Sequence, residues 1–302
     1  MLRKSRTFVV IFFIISVAIF VMFNLARAAS TDRTIPVIEM DSESVTVSVE
    51  DGDEAILKGV TAMDGKDGDI TENLFIESRT TFLEKGRFEV TIAVADKDNH
   101  INKATREVIY SDYRSPQFSL TNPLKFQTTK ESEDDLNIAR GLSAKDVIDG
   151  NISNKIKISS EYSINSFNTG DYYMEFIVSN SMGDTIRLPV TVTIYSSSQE
   201  SGLPQIILTK YLVNTTVGQA VDILSLIEQI NYHNSTYRRG EDGNYYNGEF
   251  SSDGNAIMIS SDSIQIESNI DWNTPGTYEV KIIFSDESNG LSNFVRCYIV
   301  VY

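Results

Sequence analysis

Five aspartates in the first third of the chain are the residues best suited to chemistry. Asp64, Asp67 and Asp69 crowd one Gly-rich turn, and Asp96 and Asp98 occupy a second. Clustered carboxylates with glycine at a sharp bend form the donor set of a hard, oxygen-seeking cation. These five are therefore candidate ligands to Ca²⁺. The alternative is that each side chain accepts backbone N–H groups and caps its own turn. The spacing is not that of an EF-hand loop. Paired carboxylates also serve glycoside hydrolysis. Here, however, they lie in tight turns and recur as Asp146 and Asp149 in a second copy, where Asn151 and Asn180 stand in for two others. That recurrence points to scaffold.

No other catalytic set emerges. His100 and His233 are the two histidines, each in a polar turn-like stretch, and the chain contains no G-x-S-x-G. The single cysteine, Cys297, alternates with Val295, Ile299 and Val301, the pattern of a small residue on the buried face of a strand. Zinc chemistry would need His or Cys clusters that the sequence lacks. The expectation is a protein that is not an enzyme, with no cofactor apart from the Ca²⁺ candidate.

A second group of residues suits recognition. Between Asn231 and Asp262 the chain is rich in Tyr, Asn, Gly and Ser, the composition of adaptable binding surfaces. Aromatic and Arg side chains dominate binding energy at interfaces, so Tyr237, Arg238, Arg239, Tyr245, Tyr246 and Phe250 are the expected partner-contact residues. The stretch reads as an insertion with an exposed hairpin around Asp242-Gly243.

The elements that must carry these residues come from a repeat. Three copies open with Pro before a short apolar strand, at Pro36, Pro116 and Pro204. They close with a Gly turn and alternating strands that begin at Gly86, Gly170 and Gly276. A period of about 85 to 100 residues suits a small β-sandwich. Strands are expected over Ser44–Val49, Lys58–Met63, Phe88–Ala95, Lys103–Tyr110, Tyr172–Val178 and Ile186–Tyr195, with turns at Asp51–Glu54 and Asp96–Asn99. Ser196–Gly202 reads as a short flexible linker.

With those residues in view, the first two copies resemble a bacterial immunoglobulin-like surface module related to hyalin repeats. Its signature is A-x-D-x-x-D-G-D-I-T, followed by G-x-Y-x-V-x-Y-x-A-x-D. Ala62, Asp64, Asp67, Gly68, Asp69, Ile70 and Thr71 match the first half, and Gly86, Phe88, Val90 and Asp96 the second, with Phe for Tyr. The second copy keeps Ala144, Asp146, Asp149, Gly150, Ile152 and Ser153. The third keeps only Gly276, Tyr278, Val280 and Asp286. The resemblance implies an extracellular sandwich, often strung in arrays on envelope proteins, and implies no catalysis.

The first 29 residues carry a basic start, Arg3, Lys4 and Arg6, and the apolar run Phe8–Phe23. They read as an export signal, either cleaved at Ala26-Arg27-Ala28 or retained as a membrane anchor. Both outcomes place the rest outside the cytoplasm. The net charge is −16, and with four basic and no acidic residues in that segment the remainder carries −20. Such a surface repels nucleic acid.

The expectation is therefore all-β: residues 1–29 a signal or anchor, then immunoglobulin-like sandwiches at 34–112, 115–196 and 203–302, the last with a polar insertion at 231–262. The expected function is a non-enzymatic, extracytoplasmic stalk with a binding tip for a protein or glycan ligand. The alternative is a glycan-associated accessory protein.

Overall fold

The computed structural model describes residues 2–30, 33–128, 138–159, 168–251 and 254–302. An N-terminal helix, α1 (Leu2–Ser30), is followed by strands alone apart from short helical turns. Its segment Arg6–Arg27 has a mean hydropathy of 2.9 and is long and apolar enough to cross a membrane.

The first sandwich contains β1 (Val37–Met40), β2 (Ser44–Val47), α2 (Asp53–Leu57), β3 (Val60–Asp64), β4 (Gly68–Asp69), β5 (Phe75–Arg79), β6 (Arg87–Ala95) and β7 (Ile101–Tyr110). One sheet has the order β1-β3-β4 and the other β2-β7-β6-β5. The opening strand is divided between the sheets: β1 runs antiparallel to β3, then β2 crosses over and runs parallel to β7. Phe88, Val90, Ile92 and Val94 alternate along β6 and are fully buried, which is what period-2 spacing dictates for the inner face. Asp51–Glu54, expected as a turn, leads into α2 instead. Asp53 and Glu54 sit in its first turn, where negative charge suits the helix N-terminus, and Ile56 is buried.

The second sandwich contains β8 (Gln117–Leu120), β9 (Lys125–Gln127), β10 (Leu142–Asp146), β11 (Gly150–Asn151), β12 (Lys157–Ile158), β13 (Gly170–Ser179) and β14 (Thr185–Tyr195). It keeps the same plan, with sheets β11-β10-β8 and β12-β13-β14-β9 and a parallel β9–β14 pair. The third contains β15 (Gln205–Leu208), β16 (Leu212–Thr215), β17 (Ile227–Tyr232), β18 (Ser235–Arg239), β19 (Tyr245–Phe250), β20 (Ala256–Ile259), β21 (Ile264–Ser268), β22 (Gly276–Asp286) and β23 (Leu291–Val301). Its β16-β23-β22-β21 sheet matches the others, with β16 parallel to β23. Its first sheet has grown to five strands, β15-β17-β18-β19-β20. The fold is three tandem immunoglobulin-like sandwiches behind an apolar helix.

Residues 1–113 form one compact unit and residues 114–302 another, so the second and third sandwiches belong together. Their buried residues make one continuous cluster. Tyr298, 1% exposed, reaches from β23 to β14, where its hydroxyl accepts from Thr191 N at 3.0 Å and donates to Thr191 O at 2.9 Å. Arg296 donates to Asp171 at 2.6 Å. The segment read as a flexible linker contains a helical turn, Ser197–Glu200. It is tethered because Glu200 accepts from Lys125 at 2.7 Å and from Asn293 at 3.1 Å.

Candidate functional site

The acidic turns lie at one end of the first sandwich, where the β3–β4 turn meets the β6–β7 turn. Asp64 is buried at the end of β3. Its Oδ1 accepts from Lys66 N at 2.8 Å and Asp67 N at 2.9 Å, and its Oδ2 from Thr34 Oγ1 at 3.1 Å. Asp67 bridges the two turns: its Oδ2 accepts from Lys97 N at 2.9 Å, and Oδ1 stands 3.3 Å from Lys97 Nζ. Asp69 Oδ1 accepts from Thr71 N at 3.0 Å. Asp96 accepts from His100 N at 2.8 Å and pairs with His100 Nδ1 at 2.7 Å, while Asp98 pairs with Lys66 at 2.6 Å. Gly68, at φ 74°, occupies the left-handed region that the bend requires.

The five carboxylates thus face backbone N–H groups, a hydroxyl, an imidazole and two ammonium groups. Among the described residues, no group of three or more His, Cys, Asp or Glu is arranged to hold a metal ion. The second sandwich shows what the turns need. Asp146 Oδ1 accepts from Ile148 N and Asp149 N, each at 2.9 Å, and Asp149 accepts from Ser181 N at 2.8 Å across the turns. Asn180, standing where the first sandwich has Asp96, accepts from Asp184 N at 2.9 Å, and Asn151 accepts from Ser153 N at 3.0 Å. A neutral amide oxygen does the same work as a carboxylate. In both sandwiches these acceptors are engaged by the N–H groups of their own turns, the arrangement of turn capping. Millimolar Ca²⁺ and a chelator are accordingly expected to give the first sandwich the same melting temperature. A Ca²⁺-dependent rise that Asp67→Ala abolishes would instead establish the cation site.

The N–H groups of Asp67 and Lys66 hold the Asp64 carboxyl at about 2, below its ordinary 3.8, against the opposing effect of burial. A carboxyl depressed in the folded state contributes stability above its unfolded value, and that stability is lost as the pH falls through the folded value. The stability of the first sandwich is therefore expected to drop between about pH 4 and pH 2. Asp64→Asn should flatten that drop in an acid titration followed by circular dichroism; an unchanged slope would assign the acid sensitivity to other groups. Asp96 is also lowered: burial raises it, but the His100 backbone and ring bonds outweigh that.

In the third sandwich the six expected contact residues divide. Tyr237 and Tyr245 are buried, Tyr245 completely. This takes Tyr245 off the expected contact surface, while Tyr237, 8% exposed, keeps an edge in a groove beside Tyr232. The stretch 231–262 is not a loop laid over a finished sandwich. It supplies the end of β17 and the whole of β18, β19 and β20, whose inner face buries Tyr237, Tyr245 and Ile259. Positions 252 and 253 lie outside the described residues. The expected hairpin exists, with Gly240 N donating to Asn244 O at 2.7 Å around Asp242-Gly243 and Arg238 opposite Tyr246. Arg238 is exposed and donates to Gln229 at 3.3 Å, and Arg239 stands 3.6 Å from Asp222. Tyr246 donates to Asp242 at 2.6 Å. Phe250 is 70% exposed.

The same end of the third sandwich is built differently from the other two. Where Asp67 and Asp149 clamp turn to turn, the third has Tyr232, whose hydroxyl donates to Asp286 Oδ2 at 2.8 Å and accepts from Asn289 Nδ2 at 2.6 Å. Beside this bridge lies a groove of about 370 Å³, lined by Tyr232, His233, Tyr237, Met258, Ser260, Ser263, Asp286, Glu287 and Ser288, with Ile259 and Phe284. The signal for this groove was present in sequence as the two-residue turn His233-Asn234 between alternating stretches. Its meaning depends on what the turn faces. Cys297 is fully buried, and burial pushes its thiol up to about 12, so no thiolate is available.

No family model matches the chain. It is 24% identical over 225 residues to an uncharacterized 81.3 kDa protein of Acholeplasma phage L2. The match covers 74% of this chain and 26% of that protein, so the chain spans about a quarter of its relative's length. Among solved structures, Drosophila N-cadherin EC1-3 aligns over 90% of both chains at 11% identity and a TM-score of 0.28. The lipoprotein BT2262 of Bacteroides thetaiotaomicron aligns over 61% of this chain and 98% of its own at 14% identity and a TM-score of 0.22. Scores this low carry nothing about function.

Proposed function

We propose that this chain is a non-enzymatic, extracytoplasmic surface protein of the bacterial immunoglobulin-like module type, in which the first two sandwiches are spacer and the third recognises a partner. One observation supports this most directly. The turn-to-turn junction is clamped by carboxylate-to-backbone bonds in the first two sandwiches and opens into a groove in the third, beside a hairpin that leaves Arg238 and Phe250 exposed. Spacer modules need closed ends, and a recognition module needs reachable side chains on a rigid frame. The apolar helix Arg6–Arg27 directs export. Cleavage after Ala28 releases the chain, and retention anchors it to the outer face of the membrane.

The test is topological. A C-terminal tag on the full chain, expressed in a bacterial host, should be degraded by protease added to spheroplasts, and the N-terminus read by mass spectrometry should begin at Met1 if anchored or at Ala29 if released. Protection of the tag until the cells are lysed would overturn the extracytoplasmic reading.

A further inference from the structure

The groove of the third sandwich has a lining that reaches solvent on a rigid frame. We propose that it binds a neutral sugar residue of a surface glycan; this rests on the reading of the third sandwich as the recognition module. Tyr237 is 8% exposed and lines the groove, yet its hydroxyl has no hydrogen-bond partner among the described residues. Unlike the oxygen of Tyr245, this one is not sealed off, so it stays open to the groove and free to take a partner. Here the groove offers the place for one. Ser260, Ser263 and Ser288 share the lining; Ser288 Oγ already donates to Asp286 and Ser260 Oγ accepts from Asp262 N, which leaves the first an acceptor and the second a donor for a sugar hydroxyl.

The remaining walls suit the C–H face of a pyranose. Met258 is 51% exposed and unbranched, so it adapts to an irregular apolar surface. His233 is exposed and stacks on Tyr232 with ring centroids 3.8 Å apart. It is held there by a two-residue turn in which His233 and Asn234 take φ of 50° and 61°. Asn-Gly is the usual choice for such a turn. A histidine in that conformation costs energy, and strain of this kind is retained where the side chain is used.

Electrostatics restrict the ligand. Asp286 receives Ser288 N and Oγ on one oxygen and Tyr232 and Asn289 on the other, so it builds the wall and has no acceptor position to spare. Glu287 is exposed at the rim and keeps the mouth negative. Sialylated or sulfated glycans would be repelled. The volume of about 370 Å³ lies in the roughly 300–1,000 Å³ range of small-molecule sites.

The experiment uses the full chain in detergent on an array of immobilised neutral and acidic glycans. Binding to neutral glycans is expected. Tyr237→Phe, which removes only the hydroxyl, and His233→Gly, which relaxes the turn, should each weaken it by about tenfold without lowering the melting temperature. Glu287→Gln should widen recognition toward acidic glycans. Binding unaffected by Tyr237→Phe and His233→Gly, but lost in Arg238→Ala or Phe250→Ala, would overturn the groove as the site and leave the recognition module standing. Binding of acidic glycans alone, or of no glycan at all, would overturn the sugar assignment, while the protease result on spheroplasts still decides the surface reading.

Discussion

Truncation of Tyr245 to alanine is expected to lower the stability of the third sandwich by about 3–5 kcal/mol, the range for removing a large buried aromatic from a core. The ring is fully buried, paired in register against Ile259 on β20, and belongs to the continuous cluster of residues 114–302. Tyr245→Phe should behave in the opposite way. The hydroxyl is buried with no hydrogen-bond partner among the described residues, so its removal takes away a desolvated group and leaves nothing unpaired. Stability should stay level or rise. Trp272, the single tryptophan of the chain, packs against this core, so urea unfolding followed by its fluorescence reports the third sandwich directly. An alanine variant that unfolds with the parent would return Tyr245 to the surface. A phenylalanine variant destabilised by more than about 1 kcal/mol would show that the hydroxyl has a partner.

Arg106→Ala is expected to cost the first sandwich about 2–5 kcal/mol, because it leaves two carbonyl groups without their donor at roughly 1–3 kcal/mol each. Arg106 is 2% exposed and donates through Nη1 to Ile56 O at 2.8 Å and Lys58 O at 2.7 Å, and through Nη2 to Asp41 at 3.1 Å. From β7 it holds the end of α2 and the link that follows it. Asp41 is well exposed, so Asp41→Asn should cost far less. Gly59 sits at φ 77° with Asp41 packed where a Cβ would stand, which makes Gly59→Ala a second way to break the same corner. Hydrogen exchange of the β3 and β7 amides in the full chain would separate these variants. Protection in Arg106→Ala equal to the parent would show that water replaces the guanidinium.

Local chemistry alone was enough for the architecture. Alternation at Phe88, Val90, Ile92 and Val94 can bury one face only in a strand, glycine alone enters the left-handed bends cheaply, and an unbroken apolar run can only become a helix or a signal. The acidic signature was likewise legible as a pair of alternatives, and the Asn151 and Asn180 substitutions already favoured capping over a cation. The helix α2 (Asp53–Leu57) and the tether at Ser197–Glu200 were not legible, because both depend on distant partners for Ile56 and Glu200.

The recognition module is where tertiary structure decided. Tyrosine has an apolar ring and a polar tip, so composition cannot say whether Tyr237 and Tyr245 meet a partner or a core. The pairing of β18 with β17 and β19 settles it: in a strand, parity of position assigns the face, and parity is set by register, not by residue type. Tyr245 falls into the core, Tyr237 inward with an edge on the groove, and Arg238 outward, for that reason. The groove itself belongs to no segment of sequence. It exists because the turn after β17 faces the turn after β22, some fifty residues away in the chain, without the carboxylate clamp that closes the same junction twice before.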